Sequence, residues 1–177
     1  AKGKTKLAPM QLGGGQEQGI RSGTQDVAGI VGMAAAAQQT AHTRQETIER
    51  ITPLRNGLAD GLTRIEGSYE TGVSRNPNGE TDRSKKIAGS CHVCFEQIES
   101  EALLFLLEQE NILASAASSC SSGAQDPSHV LAAMGYNREL AGGSLRLSLG
   151  YKTSNDDVKT ALDIIPRSIM KLRETGS

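Results

Sequence analysis

The segment Ser144-Leu-Arg-Leu-Ser-Leu149 alternates apolar with polar or charged residues at every step. Strict period two is the pattern of a β-strand, and it obliges the chain to build a sheet for that strand to join. Ile87 to Phe95 also alternates toward a strand, and Asn111 to Ser115 reads as a short one. Between and around them lie helical patterns. An alanine-rich helix is expected over Val27–Arg44 and a second over Glu46–Ile65, striped by Ile51, Leu54, Leu58, Leu62 and Ile65. A leucine-rich helix follows over Ile98–Glu110, a short one over Ser128–Met134, and a last one from the capping residue Ser154 to about Arg173. Strands interleaved with helices give an α/β fold, a small sheet covered by helices. The polar stretch 72–86, with its Asn76-Pro77-Asn78-Gly79 turn, reads as a surface loop.

The chain has 177 residues, enough for one domain or a small domain with part of another. Its 19 basic and 20 acidic residues are interspersed and leave a net charge of −1, which gives no footprint for nucleic acid or a membrane surface. The basic clusters, Lys2, Lys4 and Lys6 and then Arg83, Lys85 and Lys86, are read as solvated surface. No apolar run approaches the roughly 18 residues of a membrane span. Three cysteines are too few and too odd in number for a disulfide scaffold, which points to a reducing, cytoplasmic setting.

One of the three, Cys120, stands in the stretch Ala114-Ser-Ala-Ala-Ser-Ser-Cys-Ser-Ser-Gly-Ala-Gln-Asp-Pro127, where no Leu, Ile, Val or Phe occurs between Leu113 and Val130. Such surroundings cannot bury a thiol in a tight core, so Cys120 is expected on an exposed loop, as a nucleophile or redox residue. Asp126-Pro127-Ser128 supplies an N-cap candidate and a proline at the first helical position.

A second informative stretch is Leu12-Gly-Gly-Gly-Gln-Glu-Gln-Gly-Ile-Arg-Ser-Gly-Thr24, which runs into a helix expected to start near Thr24 or Gln25 and so to present backbone N–H groups to an anion. It is neither a Walker loop nor a dinucleotide fingerprint.

Ser-Ser-Cys120 followed by Pro127-Ser-His-Val-Leu, and upstream the Gly-Gly-Gly-Gln-Glu-x-Gly-x-Arg-Ser-Gly-Thr stretch, together resemble the cysteine desulfurases of the NifS/IscS type, class-V aminotransferase relatives with the fold-type I pyridoxal phosphate architecture. The resemblance covers Gly13 to about Leu172, with Leu12 where many members have histidine and Gln18 where they commonly have arginine.

The resemblance implies pyridoxal 5'-phosphate as cofactor and L-cysteine as substrate, with L-alanine as co-product and a persulfide on Cys120 as product. By the same resemblance Thr24 reaches the cofactor of the other subunit of a homodimer. Arg146, in the matching Leu-Arg-Leu-Ser-Leu-Gly segment, grips the substrate carboxylate. Residues 1–44 would close the large cofactor-binding domain and 45–177 form the small C-terminal domain. No lysine here stands in the Ser-His-Lys setting that anchors the cofactor in that family, so the chain is expected to be a C-terminal portion. A sulfur-acceptor protein is the expected partner. Iron–sulfur cluster assembly, tRNA thiolation, a thiamine pathway and DNA phosphorothioation are open destinations, and no direct contact with nucleic acid or membrane is implied.

Two constellations call for a weighing of roles. Arg146 interrupts an otherwise apolar strand, where a buried unpaired charge would be costly, so it is expected to meet an anion, either a structural carboxylate or the substrate's. Cys91-His92-Val93-Cys94 has a metal-like spacing but lacks further ligands, and residues three apart in a strand face opposite ways. No metal site is expected, and both cysteines are read as structural. His129 is read as a surface or packing residue. The alternative functions are a selenocysteine lyase, a cysteine sulfinate desulfinase or another class-V enzyme, and, without catalysis, a dimerisation or docking fragment.

Overall fold

The computed structural model describes residues 7–76, 78–116 and 128–175. The chain divides into two compact units, Ala1–Arg44 and Gln45–Ser177.

In the first unit the glycine-rich stretch closes on itself. A one-turn 3-10 helix spans Glu17–Gly19, and a parallel bridge joins Gln11 to Arg21. The glycines at 19 and 23 have φ of +78° and +108°, backbone values that side chains with a Cβ rarely adopt. Helix α1 (Val27–Leu62) begins in this unit. It starts at Val27, later than Thr24 or Gln25, because the Asp26 carboxylate accepts the Gly29 N–H at 3.0 Å and caps it. It also continues through residue 45, where two separate helices were expected. Arg44, Gln45 and Glu46 are all sound helix formers, and Pro53 lies inside the helix without ending it.

The second unit is built on an antiparallel sheet ordered β1 (Ser68–Glu70), β4 (Ser90–Phe95), β5 (Ser144–Ser148). Cys91 pairs with Leu147 and Val93 with both Leu145 and Glu70. A two-stranded ribbon, β2 (Ser74–Arg75) with β3 (Thr81–Asp82), occupies the stretch read as loop. One face of the sheet presents Cys91, Val93, Phe95, Leu145 and Leu147 to the core, completed by Leu58 and Leu62 of α1, Leu103 and Leu107 of α2 (Ser100–Gln109), and Ile165 and Ile169 of α5 (Asn155–Thr175). On the other face Cys94 packs with Leu131 of α3 (His129–Ala133) and Ala141 of α4 (Arg138–Gly142), a helix the sequence reading missed.

α5 starts as expected at Ser154. Its hydroxyl accepts the Asp157 N–H at 3.2 Å while the Asp157 carboxylate accepts the Ser154 N–H at 2.8 Å, a reciprocal cap. The strand expected over 111–115 reduces to a single bridge at Ser115. Gly143 shows how closely the elements meet: a Cβ there would lie 2.0 Å from the carbonyl oxygen of Phe95.

Candidate active site

Ser115 forms an antiparallel bridge with Arg146: its N–H donates to the Arg146 carbonyl at 3.0 Å and its carbonyl accepts the Arg146 N–H at 2.8 Å. The stem of the Cys120 stretch is thereby the next strand-like segment beyond β5. On the other side of Arg146, the β4–β5 register places His92 directly opposite. Beyond His92 comes Thr71, whose N–H donates to the His92 carbonyl at 3.1 Å. Thr71, His92, Arg146 and Ser115 thus form one row across the sheet, and residues directly opposite in antiparallel pairs project to the same face, about 5 Å apart.

Arg146 is exposed. That corrects the expectation of a buried charge: among the described residues α3 and α4 pack on this face around Cys94 and leave the Arg146 side chain exposed. Among the described residues its guanidinium makes no side-chain hydrogen bond or ion pair, so the structural carboxylate is not there, and the anion it suits is a ligand's.

His92 is half-buried, with Nδ1 2.9 Å from the Thr71 hydroxyl. Burial, then the charges of Lys86 and Arg146, push its pKa down to about 4, so the ring is neutral at physiological pH. Thr71 is itself buried and its carbonyl accepts a hydrogen bond from Lys86 Nζ at 2.7 Å.

Of the basic residues read as solvated surface, Lys2, Lys4 and Lys6 lie outside the described residues and Lys85 is exposed, but Arg83 and Lys86 prove partly buried. Arg83 and Lys86 side chains are 13% and 8% exposed, and both pair with Glu70, itself 3% exposed, at 2.7 and 3.2 Å. Arg83 also reaches Asp60 at 2.6 Å. Arg55, buried beside Glu70, has its pKa lowered by desolvation, and its Nε and Nη1 have no hydrogen-bond partner among the described residues. This charged network braces the end of β1 that carries Thr71.

In the first unit Arg21 donates to the carbonyls of Gly23 and Thr24 at 3.1 and 3.2 Å, Gly15 donates to the Ser22 hydroxyl at 3.3 Å, and Gly23 donates to Gln16 Oε1 at 3.1 Å. The N–H groups expected to await an anion at this junction are therefore partly used within the loop and its Asp26 cap. Thr24 is exposed, and its hydroxyl has no hydrogen-bond partner among the described residues. A free hydroxyl on a braced loop fits a phosphate oxygen, so this chain's residues suit the phosphate end of pyridoxal phosphate through Thr24.

Cys120 and Pro127 lie outside the described residues. The other two thiols are fully buried on opposite faces of β4. Desolvation, with Glu70 nearby, pushes Cys91 up to about 12, and desolvation pushes Cys94 up to about 11. Among the described residues no group of three His, Cys, Asp or Glu side chains could hold a metal, and no helix is long and apolar enough to cross a membrane. His129 is exposed on α3.

Of the expected site residues, Arg146 and the stem of the Cys120 stretch come together in the second unit, and Thr24 belongs to the first. His92 and Thr71 were missed, although the alternation of 87–95 already put His92 on the face opposite Cys91.

The profile of the aminotransferase class-V family matches residues 3–161. An IscS-like cysteine desulfurase of Mycobacterium tuberculosis is 42% identical over 95% of this chain and 41% of its own length. The cysteine desulfurase IscS of Methanosarcina thermophila is 38% identical over 95% of this chain and 39% of its own length. The chain thus spans about two fifths of the curated relatives it matches. Among solved structures, a NifS-like protein superimposes with a TM-score of 0.77 at 30% identity, over 96% of this chain and 40% of that one.

Proposed function

The chain belongs to the aminotransferase class-V family, and we propose that the protein containing it is a cysteine desulfurase that passes sulfur from L-cysteine to Cys120. The observation that carries this reading is the Ser115–Arg146 pairing, which starts the Cys120 stretch beside an exposed, uncompensated guanidinium. An amino-acid carboxylate held there lies next to the segment that bears the thiol.

Arg146 binds and orients the substrate through two parallel charge-assisted hydrogen bonds. Thr24 would hold a phosphate oxygen of the other subunit's cofactor. Pyridoxal phosphate, when bound, supplies the electron sink that labilises bonds around the substrate Cα. The Cys120 thiolate forms an S–S bond to the substrate sulfur as the C–S bond breaks, and the carbon fragment takes up protons and leaves as L-alanine. With pKa values of about 12 and 11, Cys91 and Cys94 are protonated and sealed, which leaves Cys120 as the thiol for this task.

The reading brings with it a homodimer in which Thr24 serves the partner's cofactor, a protein acceptor for the persulfide, and a cytoplasmic setting. Assaying L-alanine and sulfide from L-cysteine with the full-length protein and a reductant tests it. Equimolar products, lost in Cys120→Ser, are expected; no alanine from the wild-type protein would overturn it.

A further inference from the structure

The row Thr71–His92–Arg146–Ser115 has one charged member. Lys86, next to the row, is compensated by Glu70. Arg146 has no carboxylate beside it among the described residues, and its cross-strand neighbour is an imidazole, in a place where an acid would have formed an internal ion pair and competed for the guanidinium.

That imidazole is unusually well fixed for a residue at the open edge of a site. Its backbone is hydrogen-bonded to Thr71, its Nδ1 meets the Thr71 hydroxyl at 2.9 Å, and Thr71 is anchored through its carbonyl by Lys86. Arginine has a long, flexible side chain and loses rotamer entropy when it grips a ligand. A rigid flat neighbour on one side and the Ser115 segment on the other restrict where its stem can lie, so part of that ordering is done before substrate arrives. The low proton affinity of His92 keeps the neighbour from repelling the guanidinium.

We propose that His92 is a positioning residue for Arg146: locked by Thr71, it flanks the guanidinium on the open sheet face and keeps it aligned and uncompensated for the substrate carboxylate. The inference rests on the reading of Arg146 as the carboxylate clamp and adds to it the device that prepares the clamp.

The test is steady-state alanine release from L-cysteine by the full-length protein with its cofactor. His92→Leu, which keeps bulk and loses the Thr71 hydrogen bond, should raise KM about tenfold with kcat within about twofold. His92→Asn keeps a neutral polar partner for Thr71 and should restore KM to within about threefold of wild type. Thr71→Val, which leaves the imidazole in place and guards against a folding defect in the leucine variant, should raise KM about threefold. In the double variant His92→Leu with Arg146→Lys, KM should be no higher than in Arg146→Lys alone, because the two act through one interaction.

An unchanged KM in His92→Leu beside a raised KM in Arg146→Lys overturns the role of His92 and leaves the clamp standing. Effects that multiply in the double variant, or a loss confined to kcat, also overturn it. If Arg146→Lys itself leaves KM unchanged, the clamp reading fails and takes this inference with it.

Discussion

Alternate residues of β4 have opposite fates. Cys91, Val93 and Phe95 are sealed between the sheet and α1, α2 and α5, whereas His92, one step along, stands half-buried in a polar row with Arg146. β5 repeats the division: Leu145 and Leu147 point into the core, Arg146 and Ser148 to the open face. The comparison teaches that one sheet divides by parity: one face is wholly core, whereas the other packs a small core around Cys94 and also carries the polar row with Arg146. Changes on the core face should unfold the unit without touching specificity, and a change at Arg146 should do the reverse.

The largest effect should come from the core face. Phe95→Ala removes a fully buried ring and should cost about 3–5 kcal/mol in chemical denaturation. A loss below 1 kcal/mol would break the division. Arg146→Lys should leave that stability unchanged while weakening binding of L-cysteine by about 2–4 kcal/mol through the lost bidentate grip, read as KM.

His92 gives a smaller effect and a defined window. Its pKa falls from 6.5 to about 4 on folding, so between those values the unfolded chain binds a proton that the folded one refuses. Stability is therefore full above pH 6.5 and declines as pH falls toward 4. Partial exposure screens the effect to on the order of 2 kcal/mol. Melting curves at pH 7 and pH 4.5 should show His92→Asn losing less than wild type, and equal losses would refute the assignment. The smallest change belongs to neither face: Asp163→Asn breaks an exposed pair with Arg167 on α5 and should cost under about 0.5 kcal/mol in a thermal melt.

Strands β4 and β5 were legible because their alternation runs over five or six residues, and α5 because Ser154 and Asp157 mark its start. β1, with three residues, and β2 and β3, with two each, are too short to show a period. The exposure of Arg146 was not legible, since it depends on how far α3 and α4 extend over the second face. Nor was the burial of Arg83, whose partner Glu70 lies 13 residues back. Arg146, Cys120 and Thr24 were singled out as candidates through their motifs. His92 was passed over because its four-residue context suggested a metal and because its neighbours Thr71 and Arg146 are joined to it only by the sheet register.

The central claim, that sulfur moves to Cys120 while the buried thiols of β4 stay inert, is tested most directly by peptide mass spectrometry of the full-length protein after brief incubation with L-cysteine, without reductant. The account predicts a gain of one sulfur on the peptide holding Cys120 and none on the peptide holding Cys91 and Cys94. A sulfur found on the Cys91–Cys94 peptide, with Cys120 unmodified, would contradict it.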